Sequence, residues 1–177
     1  MRRKDREITD LNEIVKIMNK CDTCRIALND EDGYPYIVPL NFGMEFEGDQ
    51  MYLYFHGARL GKKLDLIRRD PRAAFEMDCS HNILMYEELM SCTMGYESVM
   101  GNGTIEFVEE EKKLDALKII MRHFHSEDFA FSTKIMPATI AFRLKVNNLS
   151  AKRRDNIKPD QKKVHHLSLE NSSEQNG

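Results

Sequence analysis

Histidine, arginine and lysine side chains crowd into residues 52–63, which read Tyr-Leu-Tyr-Phe-His-Gly-Ala-Arg-Leu-Gly-Lys-Lys. The chemistry they offer is anion binding. Gly61-Lys62-Lys63 opens a predicted helix, because Leu60, Leu64 and Ile67 recur at helical spacing and Asp70-Pro71 ends the pattern. His56-Gly57-Ala58-Arg59 reads as the tight basic turn before it. The first backbone N–H groups of a helix have no partner within it, and the helix dipole favours negative charge there. Lysines in that turn are slightly unfavourable unless an anion accompanies them. A phosphate suits such a terminus best; the plain alternative is solvated basic surface.

Two better-known phosphate motifs are excluded. A P-loop needs Gly-x4-Gly-Lys-Ser/Thr, whereas Lys63 stands where the hydroxyl would be. A dinucleotide fingerprint needs Gly-x-Gly-x-x-Gly opening a helix, whereas Gly101-Asn102-Gly103 runs into Thr104-Ile105-Glu106-Phe107, which reads as strand. Cys21-x-x-Cys24 invites a redox or zinc reading, with Cys79 and His81 as loosely spaced additions. A helix precedes that pair and a strand follows, the reverse of a thioredoxin-like motif. Small buried hydrophobes are the plainer reading, and no metal site is expected.

With 177 residues, 41% apolar and 31% charged, the chain is expected to form one globular domain over 1–155. The polar, charged segment 156–177, including His165-His166, is expected to be disordered. A net charge of −3 argues against general nucleic-acid binding. No apolar run is long enough to span a membrane, and the charged start has no apolar stretch behind it. A cytoplasmic location is expected.

Thr9 or Asp10 caps a predicted helix to Met18 with Leu11, Ile14, Val15 and Met18 on one face. Arg25–Leu28 and Tyr34–Leu40 form a hairpin about Gly33, and Pro35 and Pro39 belong on a sheet edge or beside a site. Phe42–Phe46 and Met51–Phe55 form a second hairpin about Glu47-Gly48-Asp49. Ala73–Met77 is a strand, and Asp78–Leu89 reads as an irregular loop that could serve as a lid. Ser91–Met94 and Glu97–Phe107 read as one strand broken at Gly95 and near Gly101-Asn102-Gly103. Glu109–Phe124 is a helix with Leu114, Leu117, Met121 and Phe124 facing the core, and Thr139–Val146 is the last strand. Hairpins with scattered helices predict a β-rich α+β domain with an antiparallel sheet that closes on itself.

The order and spacing of three segments resemble the pyridoxamine 5′-phosphate oxidase-like FMN-binding split-barrel family, and within it the nitroimidazole-resistance branch. They are Gly33-Tyr34-Pro35-Tyr36-Ile37-Val38-Pro39-Leu40-Asn41-Phe42, then Leu53-Tyr54-Phe55-His56-Gly57-Ala58 with Gly61-Lys62-Lys63, then Tyr96-Glu97-Ser98-Val99 followed by Gly101 and Gly103. The resemblance spans roughly residues 1–150. It implies a six-stranded antiparallel split β-barrel with peripheral helices, in a homodimer with FMN at the subunit interface. Lys62 and Lys63 would hold the FMN phosphate, with Phe55 and His56 at the same turn. Val38, Pro39, Leu40 and Asn41 would flank the ring system. Ser98 and Val99 would complete the cradle, in the family's pattern from the partner subunit. Lys62 stands where the true oxidases carry arginine, and the last strand through Ser150 lacks their arginine-rich pattern, which argues against vitamin B6 oxidation.

The first functional reading is an FMN-dependent oxidoreductase that passes electrons to a small planar acceptor, a nitroaromatic or a quinone. No side chain need move a proton; if one does, His56 is the candidate. The alternative is a haem- or flavin-binding module without turnover, with His81, His123 and His125 as candidate axial ligands.

Overall fold

The computed structural model describes residues 3–125, 129–132 and 136–154. Asp10 starts α1 (Leu11–Met18) as expected, its carboxylate accepting the N–H of Asn12 at 2.8 Å. Ile14, Ile17 and Met18 are buried and Val15 partly so, whereas Leu11 is exposed. β1 is the two-residue strand Glu7–Ile8. β2 (Cys24–Asn29) and β3 (Pro35–Leu40) form the first hairpin, with Gly33 at φ +84° in its turn. β4 (Gly43–Glu47) and β5 (Gln50–Ala58) form the second. α2 follows at Lys62–Arg69.

The long hairpin of β6 (Arg72–Tyr86) and β7 (Ser91–Phe107) overturns the expected loop at 78–89. Pairing resumes at Asn82 opposite Gly95 and continues to Tyr86 opposite Ser91, so only a short 3-10 turn at Glu87–Leu89 separates the strands. Asp78, Ser80, His81 and Asn82 look like loop residues because a β-bulge lies between Cys79 and Asn82, with Ser80 at φ +59°. The glycines of β7 do not break it. They admit neighbours: a Cβ at Gly103 would lie 2.0 Å from the Lys145 carbonyl oxygen, where the β7–β8 register shifts.

α3 spans Lys113–Phe124, and β8 runs from Thr139 to Arg154, well past the expected end at Val146. The buried face of α3 carries Ala116, Leu117, Ile119 and Ile120; Leu114 and Phe124, expected in the core, are exposed. Lys113 is buried and donates to Glu110 and to the carbonyls of Met136 and Thr139, which ties the start of β8 to α3.

All pairings are antiparallel, in the order β3-β2-β6-β7-β8-β5-β4, with β1 added on β8. The sheet thus has eight strands rather than six, and its edges β3 and β4 are not paired with each other. The proline-bearing strand is an edge, as expected. This is an open, split barrel with helices at its faces. One core gathers Phe42, Leu53, Phe55, Met77, Phe142 and Leu144 with residues of α1 and α2. A smaller one packs Tyr52, Tyr54 and Ala141 under α3.

An ion network around the buried Glu97 of β7 draws in Lys20 from just after α1, Ser80 of β6 and Arg153 of β8. The Glu97 carboxylate accepts from Lys20 at 2.6 Å, Arg153 at 2.6 Å and Ser80 at 2.8 Å. Burial alone would raise its pKa; these donors outweigh burial and lower it from its usual 4.5 to about 2. A depressed carboxylate contributes its stability fully above its unfolded pKa and loses it as pH falls through the folded one. Glu97→Gln is therefore expected to be less stable than the parent at neutral pH. The difference between the two urea midpoints should narrow as pH falls from 4.5 towards 2, where the parent carboxylate also becomes neutral.

Candidate phosphate and flavin site

β5 carries His56, Gly57 and Ala58 as strand, so the connection into α2 is shorter than expected and consists of Arg59, Leu60 and Gly61. Gly61 adopts φ +131°, a conformation that glycine takes readily, and no side chain caps the helix. Leu64 donates its N–H to the Gly61 carbonyl at 2.9 Å and Asp65 turns its own there, so the N–H groups of Lys62 and Lys63 are the ones left for an anion. Leu64 and Ile67 are buried beneath, while Leu60 is exposed.

Successive residues on a helix point about 100° apart, so the two lysines part company. Lys62 reaches the β2–β3 hairpin, where its ammonium lies 2.5 Å from Asp30 and 5.1 Å from the centroid of the Tyr36 ring. Lys63 folds back over β5, and a Cβ at Gly57 would lie 2.5 Å from its Nζ. Burial pushes the Lys63 ammonium below its usual range, and no carboxylate offsets this among the described residues. Arg59 turns away to Glu110 at 2.5 Å.

Gly57 is therefore a cradle for Lys63. Gly57→Ala is expected to displace the flexible lysine tip while leaving the fold intact, because an alanine in a strand otherwise costs nothing. The check is an unchanged thermal midpoint together with weaker FMN binding by fluorescence quenching.

His56 faces α3. It lines a cavity of about 150 Å³ with Leu117, Ile120, Met121, Phe131, Met136 and Thr139. His56 is exposed at the rim of this cavity; partial desolvation against its walls first, and the Lys63 charge second, push its imidazole below the usual range, so the neutral form predominates at pH 7. Phe55 points the other way, fully buried and stacked on Phe142 at 5.5 Å, and can offer a ligand only backbone. On β3 the side chains of Tyr36, Val38 and Leu40 are half-buried, while Pro35, Ile37 and Pro39 face outwards. Asn41 donates its amide to the Asp22 carbonyl at 2.9 Å.

Within one chain the start of α2 reaches Tyr36 of β3 through Lys62 and Gly57 of β5 through Lys63. Ser98 and Val99 stand apart on β7, separated from β3 by β2 and β6. Ser98 is 7% exposed and Val99 is wholly buried.

The remaining chemistry-bearing residues are dispersed. Cys21 and Cys24 are buried, and burial raises both thiols, Cys24 to about 12. The Cys21 thiol donates to the Ile17 carbonyl. Among the described residues no cluster of histidine, cysteine and carboxylate side chains could hold a metal ion. Of the candidate haem ligands, His123 Nε2 lies 2.7 Å from the Cys21 carbonyl and His81 Nε2 lies 2.6 Å from Asp78. β8 does end in Lys152-Arg153-Arg154, but Arg153 is held by Glu97 and Glu13. Among the described residues no helix is long and apolar enough to cross a membrane. His165 and His166, like the rest of 156–177, lie outside the described residues.

Spacing could not reveal Asp30 as the partner of Lys62, since the pair is made by tertiary contact. Glu97 was legible only as one more polar residue in a strand.

The open antiparallel sheet defines a split-barrel protein, in which the helix terminus and the glycine cradle form a candidate anion site. A sequence model of the pyridoxamine 5′-phosphate oxidase family matches residues 10–153, and the chain belongs to that family. Comparison with curated proteins gives no match. Among solved structures, the chain is 31% identical to a protein from Bacteroides thetaiotaomicron VPI-5482 that carries a provisional assignment to 5-nitroimidazole antibiotic resistance; the match covers 82% of this chain and 85% of that one, with a TM-score of 0.71. An FAD and haem binding protein from Mycobacterium smegmatis shares the fold at 21% identity, 85% and 74% coverage and a TM-score of 0.71. A flavocytochrome from Azotobacter vinelandii does so at 16% identity, 88% and 72% coverage and a TM-score of 0.70.

Proposed function

We propose that the chain binds FMN and serves as an FMN-dependent oxidoreductase for a small planar acceptor, a nitroaromatic or a quinone. The observation that carries this reading is Lys63: a half-buried ammonium without a carboxylate partner among the described residues, packed on a side-chain-free cradle beside an uncapped helix N-terminus. That arrangement suits a phosphate monoester. The resemblance to the Bacteroides protein supports the choice of acceptor.

Bound FMN would supply the electron transfer. The chain's own part is to hold the phosphate with Lys62, Lys63 and the first N–H groups of α2, and to offer β3 as a flat wall at Val38, Pro39, Leu40 and Asn41. His56, neutral at pH 7, is placed to exchange one hydrogen bond with whatever enters the cavity beneath it. A cavity of about 150 Å³ has room for a single aromatic ring, which supports a small acceptor.

A homodimer belongs to the same proposal. The resemblance to the split-barrel family supports it; Ser98 and Val99 lie on β7, apart from β3 in the sheet order, and are too buried in their own chain to line a partner's ligand with their side chains. A cytoplasmic place of action is also proposed, supported by four cysteines that form no disulfide.

The test is a titration with FMN and with riboflavin, which lacks the phosphate. FMN is expected to bind at least about 100-fold more tightly, since the phosphate brings charge-assisted contacts that riboflavin cannot make. Equal affinity would remove the phosphate site from the account.

A further inference from the structure

We propose that Asp30 is a built-in counter-anion of the phosphate site, holding Lys62 when no ligand is bound and thereby limiting how tightly a phosphate monoester is held. The inference rests on the flavin reading above and assigns a regulator to that site.

The two lysines of the helix start are chemically alike and adjacent, yet their surroundings differ. Lys62 sits 2.5 Å from an Asp30 side chain that is only 11% exposed, whereas Lys63 has no carboxylate partner among the described residues. The Asp30 carboxylate is held in place, because its Oδ1 accepts the Glu31 N–H at 2.8 Å and its Oδ2 faces Lys62. The pairing pulls the Asp30 carboxyl below its usual range, so it stays ionised at working pH. Around the two ammonium groups at the start of α2 stand the fixed Asp30 carboxylate, the more distant charge of Asp32, and Asp65 of the turn itself, which is paired with Arg68 at 3.1 Å. A phosphate arriving at Lys62 meets the Asp30 carboxylate as a like-charged competitor for the same donors.

Asp30 is not needed to hold the hairpin against α2. The far end of the helix does this independently: Arg69 pairs with Glu31 at 2.7 Å and donates to the Asn29 carbonyl, and Asn29 donates to Asp70 at 2.9 Å. Asparagine at position 30 would also keep an oxygen for the Glu31 N–H. Asp30→Asn thus removes the charge and leaves the turn.

The experiment measures FMN and riboflavin affinity for the full chain, for D30N, for K62A and for K62A/D30N, at low and high salt. D30N is expected to bind FMN about fivefold more tightly at low salt, with riboflavin unchanged and the gain shrinking as salt rises. K62A should bind FMN poorly, because Asp30 then faces the phosphate without its ammonium, and K62A/D30N should regain part of that loss. If D30N binds FMN equally or more weakly, Asp30 does not restrain the site and the inference is overturned. Absence of FMN binding to both the parent and D30N would overturn the flavin reading itself, and the role of Asp30 with it.

Discussion

Alanine at both Lys62 and Lys63 is expected to strip FMN from the protein, raising its Kd by at least about 100-fold while leaving riboflavin affinity nearly unchanged. Each ammonium supplies a charge-assisted contact to phosphate, which is roughly twice as strong as a neutral one. The helix N-terminus alone retains only its backbone N–H groups and a fraction of a charge. The fold should tolerate the change. Both side chains lie at the helix start rather than in the core, and burial disfavours the Lys63 ammonium in the absence of an anion. Isothermal titration of the double variant against both flavins gives the answer. Retention of parental FMN affinity would show that the phosphate lies elsewhere.

The second large effect is structural. Gly103→Ala is expected to destabilise the domain by about 3 kcal/mol or more, read as a lower urea midpoint with unchanged slope. The added methyl would lie 2.0 Å from the Lys145 carbonyl oxygen and 2.8 Å from Leu144 Cδ2. Neither neighbour can yield easily, since Lys145 is paired to both β5 and β7 and Leu144 is fully buried. Gly57→Ala is the informative contrast. There the clash is with the tip of a lysine, which can swing away, so stability survives and ligand affinity does not. The same substitution at two strand glycines thus separates a packing role from a site role.

Much of this fold was legible where local chemistry dictates local structure. Asp10 reads as a helix cap and caps α1; Gly33 and Gly48 read as turn glycines and take positive φ. Pro35 and Pro39 read as edge residues because neither can donate to a ladder, and β3 is an edge.

The misreadings come from tertiary choices. Residues 78–89 carry a polar stretch that resembles a loop, yet opposite them lies Gly95, whose missing side chain leaves room for Asn82. On α3 two apolar stripes compete. The predicted one keeps Leu117 buried but leaves Leu114 and Phe124 exposed, and the one through Ala116, Ile119 and Ile120 packs with Leu117 against β5 and β8 because the sheet presents Tyr52, Tyr54 and Ala141 there.

The candidate site divides the same way. The lysines were conspicuous, since they oppose the dipole of their own helix. Their divergence follows from helical geometry once the helix start is fixed. Asp30 was hidden in a turn whose acidic residues look like solvated punctuation, and only the packing of α2 against the hairpin turns one of them into the partner of Lys62. His56 was read as part of the turn; the alternation of β5 sends it towards α3 instead.

The most direct test of the central claim is the absorption spectrum of the purified protein after incubation with FMN and desalting. The parent protein is expected to show a two-band yellow flavin spectrum at about one FMN per chain, lost in the Lys62/Lys63 double alanine variant. A colourless protein after the same treatment, or one showing a Soret band in place of the flavin bands, would contradict it.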